Sequence, residues 1–307
     1  MKASKHIRFV GESILAGAAF LIIPLLSRKM VLSLSRWLGD RAYSIAKRER
    51  KIAMSNLDIA FGADVSVDRK TEIIRSSFRS FALLLMDYFW FSRRTKARIE
   101  KWVTFDDSYQ HYWDTKPAVV VTCHFGNWEV LGQAVALHGH PVTSVATPLK
   151  NPVVDRMLVK VRKITGQEVV AREGAIRTIM KTLRNGGRTA LLLDQNTLEA
   201  EGGRFVDFFG LPVPNSTAAE TLAVRTGAKI VFVYCLASDD GVYRGYALPA
   251  FSSDDVEDVT QRLADMTEEV IRKHPEKWLW MYKRWKCIPR GESPERYPYY
   301  ADKTERE

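Results

Sequence analysis

The chain has 307 residues, 46% of them apolar and 27% charged, a composition that excludes a disordered polypeptide and suits one large core or two modest ones. Net charge is +10, from 46 basic and 36 acidic side chains, which leaves anionic membrane, acidic proteins and nucleic acid as partner classes. No zinc-finger spacing and no RNP-like aromatic pair accompany the charge, so nucleic acid is not expected, and three widely spaced cysteines (Cys123, Cys235, Cys287) exclude a disulfide scaffold.

The chain opens with basic residues and then reads S-I-L-A-G-A-A-F-L-I-I-P-L-L-S over 13–27. Those uncharged residues fall short of the roughly 20 that a full span needs. No small-x-small cleavage site follows, so the segment is not read as a signal peptide. A second apolar run, V-L-S-L-S-R-W-L, covers 31–38. Residues 8–46 are expected to form a membrane-associating hairpin or amphipathic helix pair, with basic flanks placed to meet anionic lipid. The plain alternative is a helix packed on a soluble core.

Residues 48–60 fit a helix closing near Phe61-Gly62, and Asp68 is the expected cap of the next helix, through Phe78, Phe81, Leu84, Leu85 and Tyr88. Residues 101–113 are amphipathic and aromatic. From there strands and helices alternate: strand 118–122, helix 128–138, strand 142–146, helix 152–165, a short strand at 169–170, helix 176–183 and strand 189–193. Helix 218–226, strand 229–236, an edge strand at 242–249 and helix 256–274 complete the pattern. Apolar runs of four or five residues suit strands buried on both faces, so the expected fold class is α/β with a mainly parallel central sheet flanked by helices. The turn after the first strand, C-H-F-G-N-W-E, is not a dinucleotide fingerprint.

That turn is where chemistry is expected. Sites in open α/β sheets form at the carboxyl ends of strands, and His124 directly follows one. Asn127 is a good helix cap, which places Glu129 in the first helical turn. A carboxylate there can hold one imidazole nitrogen and leave the other free to take a proton from a hydroxyl. Gly126 and Asn127 are placed to offer backbone donors to an oxyanion. A structural histidine beside an ordinary helix-start acid is the bland alternative. His138 and His140 are separated from His124 by a predicted helix, so no metal site is expected.

H-F-G-N-W-E resembles the H-x(4)-[D/E] element of the glycerolipid acyltransferase superfamily, and its glutamate resembles the bacterial lipid A biosynthesis acyltransferases, the lauroyl- and myristoyl-transferring branch. Other segments match in order: T-P-L-K-N-P-V-V-D at 147–155, V-A-R-E-G-A-I-R-T-I-M-K-T-L at 170–183, L-D-Q-N at 193–196, F-F-G-L-P-V-P-N-S-T-A-A-E at 208–220 and H-P-E-K-W-L-W-M-Y-K-R-W-K at 274–286. The family often has arginine beside the proline at 148, where this chain has Thr147, which bears on the acceptor more than on the chemistry.

The resemblance implies a glycerolipid-acyltransferase-like fold and an O-acyltransferase without a cofactor. The acyl thioester donor is acyl carrier protein or, alternatively, acyl-CoA. The acceptor is a lipid A precursor or related glycolipid, with another glycolipid or a lysophospholipid as alternatives. His124 would be the general base, oriented by Glu129. Arg172 and Asp194 join them as catalytic candidates, with Gly126, Asn127, Asn151, Asp155 and Arg204 as substrate-binding candidates. Cys123 is not needed as a nucleophile in direct transfer. The aromatic and basic run at 278–286 suits a membrane interface, with buried core tryptophans as the alternative. The expected organisation is membrane-associating helices at 1–46, an acyltransferase domain at 47–290 and a polar tail at 291–307, at the cytoplasmic face of a bacterial inner membrane. A non-catalytic membrane-associated scaffold and a hydrolase are the competing readings.

Overall fold

A computed structural model describes residues 2–146, 149–171 and 174–303. Two long helices lead, α1 (Lys2–Ile22) and α2 (Arg28–Ile45), the second capped by the Ser27 hydroxyl accepting from the Met30 amide. They are followed by α3 (Lys47–Phe61) and α4 (Val67–Trp90). Ser66, rather than the expected Asp68, caps α4 by accepting from the Arg69 amide, and Asp68 sits in the first turn. Residues 101–113, expected only to be amphipathic, divide among the end of α5 (Thr95–Trp102), β1 (Val103–Phe105) and the short α6 (Gln110–Trp113).

The alternation then runs as the sequence predicts: β2 (Ala118–Thr122), α7 (Trp128–Leu137), β3 (Val142–Ala146), α8 (Pro152–Ile164), β4 (Glu168–Ala171), α9 (Ala175–Arg184) and β5 (Arg188–Leu192). A β6 (Gly203–Phe208) and β7 (Leu211–Ser216) hairpin was not expected there; Pro212 and Pro214 hide its second strand. The chain continues through α10 (Ala218–Thr226), β8 (Lys229–Ala237), β9 (Tyr243–Ala247) and α11 (Val259–Lys273). It ends with β10 (Cys287–Ile288) paired to β11 (Asp302–Lys303). The segment expected to be a polar tail lies against the body, with Tyr297 and Tyr300 buried.

Seven strands form the central sheet in the order β1-β9-β8-β2-β5-β3-β4. From β8 to β4 all neighbours are parallel, while β9 runs antiparallel to β8. β9 is not the expected edge, because β1 pairs with its outer side. All five residues of β2 are buried. Val119 and Val121 face the core shared with α9, α10 and α11, whereas Ala118 and Val120 face the core shared with α7. Burial on both faces explains why β2 reads as an unbroken apolar run rather than an alternating one.

The two leading helices differ in kind. Residues 8–25 are apolar and long enough to cross a membrane, and only 11% of that window is buried. Leu15 and Leu21 are each 73% exposed. By contrast, α2 lies along α4 and buries Arg28, Val31, Leu32, Ser35 and Gly39. Gly39 is needed there, since a Cβ would come within 2.5 Å of the Arg79 Cα. Removing residues 1–22 is therefore expected to leave a folded protein that floats poorly with vesicles. Removing 1–46 takes Arg28 from the buried Asp87, and breaking a buried pair costs roughly 3–5 kcal/mol before the lost packing is counted. Thermal unfolding of the two truncations checks this; equal melting temperatures would refute the division between α1 and α2.

Candidate active site

The β2–β5 pairing sets the site. Thr122 is opposite Leu192, and the Leu193 amide still donates to the Thr122 carbonyl at 3.1 Å. Two residues further on, both strands end in ionisable side chains, His124 and Asp194. The ring Nδ1 of His124 lies 2.8 Å from Asp194 Oδ1, and the His124 backbone N–H donates to Oδ2 at 2.9 Å. One carboxylate thus holds both the ring and the main chain of one residue. Trp278 Nε1–H donates to the same Oδ2 at 2.9 Å.

Asp194 is buried, and the His124 side chain is 18% exposed. Burial pulls the His124 pKa down, but the charge and hydrogen bond of Asp194, with the more distant Glu129, outweigh it and leave the value raised. Burial pushes Asp194 up, and His124 and the Trp278 indole together reverse that, so its carboxyl is lowered. With Nδ1–H committed to Asp194, Nε2 is the ring nitrogen left for a substrate.

This corrects the expected partner. Glu129 does not orient the ring: its carboxylate is held by Arg162 of α8, Nε to Oε2 at 2.9 Å and Nη2 to Oε1 at 2.5 Å. The five-residue spacing crosses a loop and a helix start, and the first turn of α7 aims Glu129 toward α8 rather than across the strand ends. Its charge still acts on His124 through space.

Gly126 and Asn127 also differ from expectation. The Gly126 N–H donates to the Lys277 carbonyl and the Asn127 N–H to the Cys235 carbonyl, both at 3.1 Å, so neither is free for an oxyanion. Asn127 caps α7, its Oδ1 accepting from the Val130 amide at 3.0 Å. Gly126 has φ +60°, and an added Cβ would fall 1.8 Å from the Cys235 oxygen.

The remaining candidates are dispersed. Asn151 caps α8 through the Val153 and Val154 amides, and its amide nitrogen donates to the Phe9 carbonyl and to Glu12 of α1. Asp155 accepts from the Leu149 amide. Arg204, on the hairpin, is paired with Asp258 at the start of α11. Arg172, Thr147 and Pro148 lie outside the described residues. Cys123 is fully buried and its thiol is pushed well above the ordinary value by that burial, so it is no nucleophile.

Sequence reasoning missed the C-terminal contribution. Trp278, Trp280 and Trp285 are fully buried, so the run at 278–286 is core, not membrane interface. Arg284 is buried behind the Asp194 turn, donating to Asn196 Oδ1 at 2.8 Å and to the Pro214 carbonyl at 3.0 Å, and burial draws its pKa down to about 10. It also missed α4. Ser77, Ser80, Phe81 and Leu84 line one wall of a narrow, closed-down cleft, with His124, Trp128, Lys277 and Leu279 around it. The i, i+3, i+4, i+7 spacing of those four residues was a usable signal.

A family profile described as bacterial lipid A biosynthesis acyltransferase matches residues 1–287. A phosphatidylinositol mannoside acyltransferase of Mycolicibacterium smegmatis is 29% identical over 226 residues, 71% of this chain and 74% of that protein. A lipid A biosynthesis palmitoleoyltransferase of Escherichia coli is 26% identical over 271 residues, 83% and 85% respectively. Among solved structures, the 1-acyl-sn-glycerophosphate acyltransferase PlsC of Thermotoga maritima aligns with 82% of this chain and 99% of its own, at 13% identity and a TM-score of 0.40.

The pinning of the His124 loop is testable through Gly126→Ala. The added carbon meets backbone, which cannot rotate away, so a loss of about 2 kcal/mol or more in stability is expected, together with lower turnover in the surviving folded protein. Denaturant melts and rate measurements check this; wild-type values in both would mean that the loop is not held as described.

Proposed function

Because the chain belongs to the bacterial lipid A biosynthesis acyltransferase family, we propose that it transfers a fatty acyl group from an acyl thioester to a hydroxyl of a membrane glycolipid, a lipid A precursor or a close relative. The observation that carries this reading is the buried His124–Asp194 pair, whose imidazole lines the cleft. His124 Nε2 takes the hydroxyl proton as the oxygen attacks the thioester carbonyl. The C–S bond then breaks, and the imidazolium returns the proton to the leaving thiolate. Asp194 holds the tautomer and stabilises the imidazolium. Glu129 anchors Arg162 and adds negative potential toward the ring. The first turn of α7 supplies the oxyanion donors, the Trp128 and Glu129 amides, which helix geometry leaves without an internal acceptor. Arg172 is retained as a headgroup-binding candidate on the family resemblance alone.

Acyl carrier protein is the proposed donor. The support is the chain's net charge of +10 and the exposed bases Arg177, Lys181 and Arg184, which α9 presents along one stripe and which suit an acidic partner. The exposed apolar α1 supports attachment to the membrane; the inner membrane and a cleft at its cytoplasmic face are carried over from the family resemblance alone.

Lipid mass spectrometry of cells with and without the gene tests the reaction, and one glycolipid gaining a single acyl mass is the expected result. His124→Ala is expected to fold and to lose about 10²–10⁴ in single-turnover rate. Neutral imidazole is the active form, so the rate falls as pH drops through the raised pKa of His124, above the ordinary value of about 6.5. In Asp194→Asn burial is left to dominate, which moves that limb to lower pH while the plateau rate falls. A wild-type rate in folded His124→Ala, or an acidic limb that Asp194→Asn leaves in place, would end this assignment.

A further inference from the structure

A second buried polar chain reaches the same loop from the start of α2. Arg28, at the start of α2, makes a two-pronged contact with Asp87 of α4: Nη1 meets Oδ1, and Nη2 meets Oδ2 at 3.2 Å. The guanidinium also donates to the Gly241 carbonyl, from Nε at 3.2 Å and from Nη2 at 2.8 Å. Tyr243 OH, on β9, donates to Asp87 Oδ2 at 2.5 Å. Asn127 Nδ2 in turn donates to Tyr243 OH at 3.1 Å. Arg28, Asp87, Tyr243 and Asn127 are all 4% exposed or less. Asn127 is three residues beyond His124.

The direction of this chain follows from donor and acceptor chemistry. To cap α7, Asn127 must present Oδ1 to the Val130 amide, so its Nδ2 must find an acceptor. Tyr243 serves as that acceptor while spending its own proton on Asp87. Asp87 can take that proton and bind Arg28 only as a carboxylate, and a buried carboxylate requires a cation. Each orientation therefore depends on the next, from Arg28 to the helix cap. If the Asn127 amide turns over, Val130 loses its cap and the turn carrying His124 shifts.

We propose that Asp87, through Tyr243, is a positioning residue for the reaction: it fixes the amide orientation of Asn127 and thereby the placement of His124. This rests on reading the His124 loop as the reacting element. Asp87 is too far along the hydrogen-bond chain to touch substrate, and its effect is expected in kcat rather than in acceptor KM. A displacement of the reacting groups on the order of 1 Å can cost up to about 10² in rate.

The test compares Asp87→Asn, Tyr243→Phe and the double variant with Arg79→Met. The last breaks the Arg79–Asp40 pair, which bridges the same two helices without reaching the loop. Rates are taken per folded molecule, with the folded fraction from circular dichroism. Tyr243→Phe removes one oxygen and keeps the ring packing, so it decides the matter should Asp87→Asn fold poorly. The expected result is a fall of about 10-fold or more in kcat for each single variant. Acceptor KM should stay within about twofold, the double variant should be no worse than the worse single, and Arg79→Met should keep the wild-type kcat. Wild-type kcat in Tyr243→Phe, a loss confined to KM, or an equal loss in Arg79→Met overturns the proposal. A wild-type rate in His124→Ala would instead overturn the reading of the site itself.

Discussion

The site depends on a carboxylate removed from water. Asp194 is buried, and such a group stays ionised only if its oxygens are filled by donors and a positive charge is near. Here the donors are the His124 N–H, the His124 ring and the Trp278 indole. The third obliges the C-terminal segment to cross the strand ends, and Asn56 of α3 holds that segment by donating to the Trp280 and Tyr282 carbonyls. Phe125 and Trp278 form a bridge beside it. The tryptophans that look like an interfacial belt in the sequence are thus the packing that keeps Asp194 dry.

The same pair links stability to pH with a definite sign. A His124 pKa raised in the folded state means that the pair stabilises the fold below the unfolded imidazole value of about 6.5. That contribution is lost as pH rises through the folded value. Asp194, lowered, contributes above its unfolded pKa and loses that contribution as pH falls through the folded one. Proton abstraction needs neutral imidazole. The proposed working form is therefore one in which the His124 contribution has faded, and the loop must be held by other contacts, notably Gly126 and Asn127 against Lys277 and Cys235.

Much of this was legible in sequence, and the failures have physical causes. Strand ends were readable because β2, buried on both faces, and β5 each read as a short continuous apolar run, so His124 and Asp194 could each be placed at the rim. Their adjacency was not readable, because strand order is set by crossovers rather than by local pattern. With two carboxylates near one histidine, spacing favoured Glu129, the nearer in sequence, whereas register favours Asp194. Arg162 gave no signal beyond a base on a helix. The run at 278–286 was ambiguous because aromatic–basic interleaving suits both an interface and a core with a buried Arg284. The break between the two leading helices was legible as two apolar runs, but their different roles were not, because only burial separates the exposed face of α1 from the packed face of α2.

Two residues at the start of α7, the cap Asn127 and Glu129 of the first turn, are tied to the N-terminal helices by separate routes. Asn127 is reached from Arg28 of α2 through Asp87 and Tyr243. Glu129 is held by Arg162 of α8, and α8 is itself fastened at its cap, where Asn151 binds the Phe9 carbonyl and Glu12 of α1. The helices with most exposed apolar surface therefore connect to two side chains of the helix start that follows His124. A soluble enzyme with the same sheet could place His124 without them. On the proposed reading α1 meets lipid, and its part-buried contacts through α8 then give the cleft one orientation relative to the bilayer. On the same reading α2, packed along α4, belongs with the body that carries His124, and α1, with most of its apolar face exposed, is the segment proposed to meet lipid.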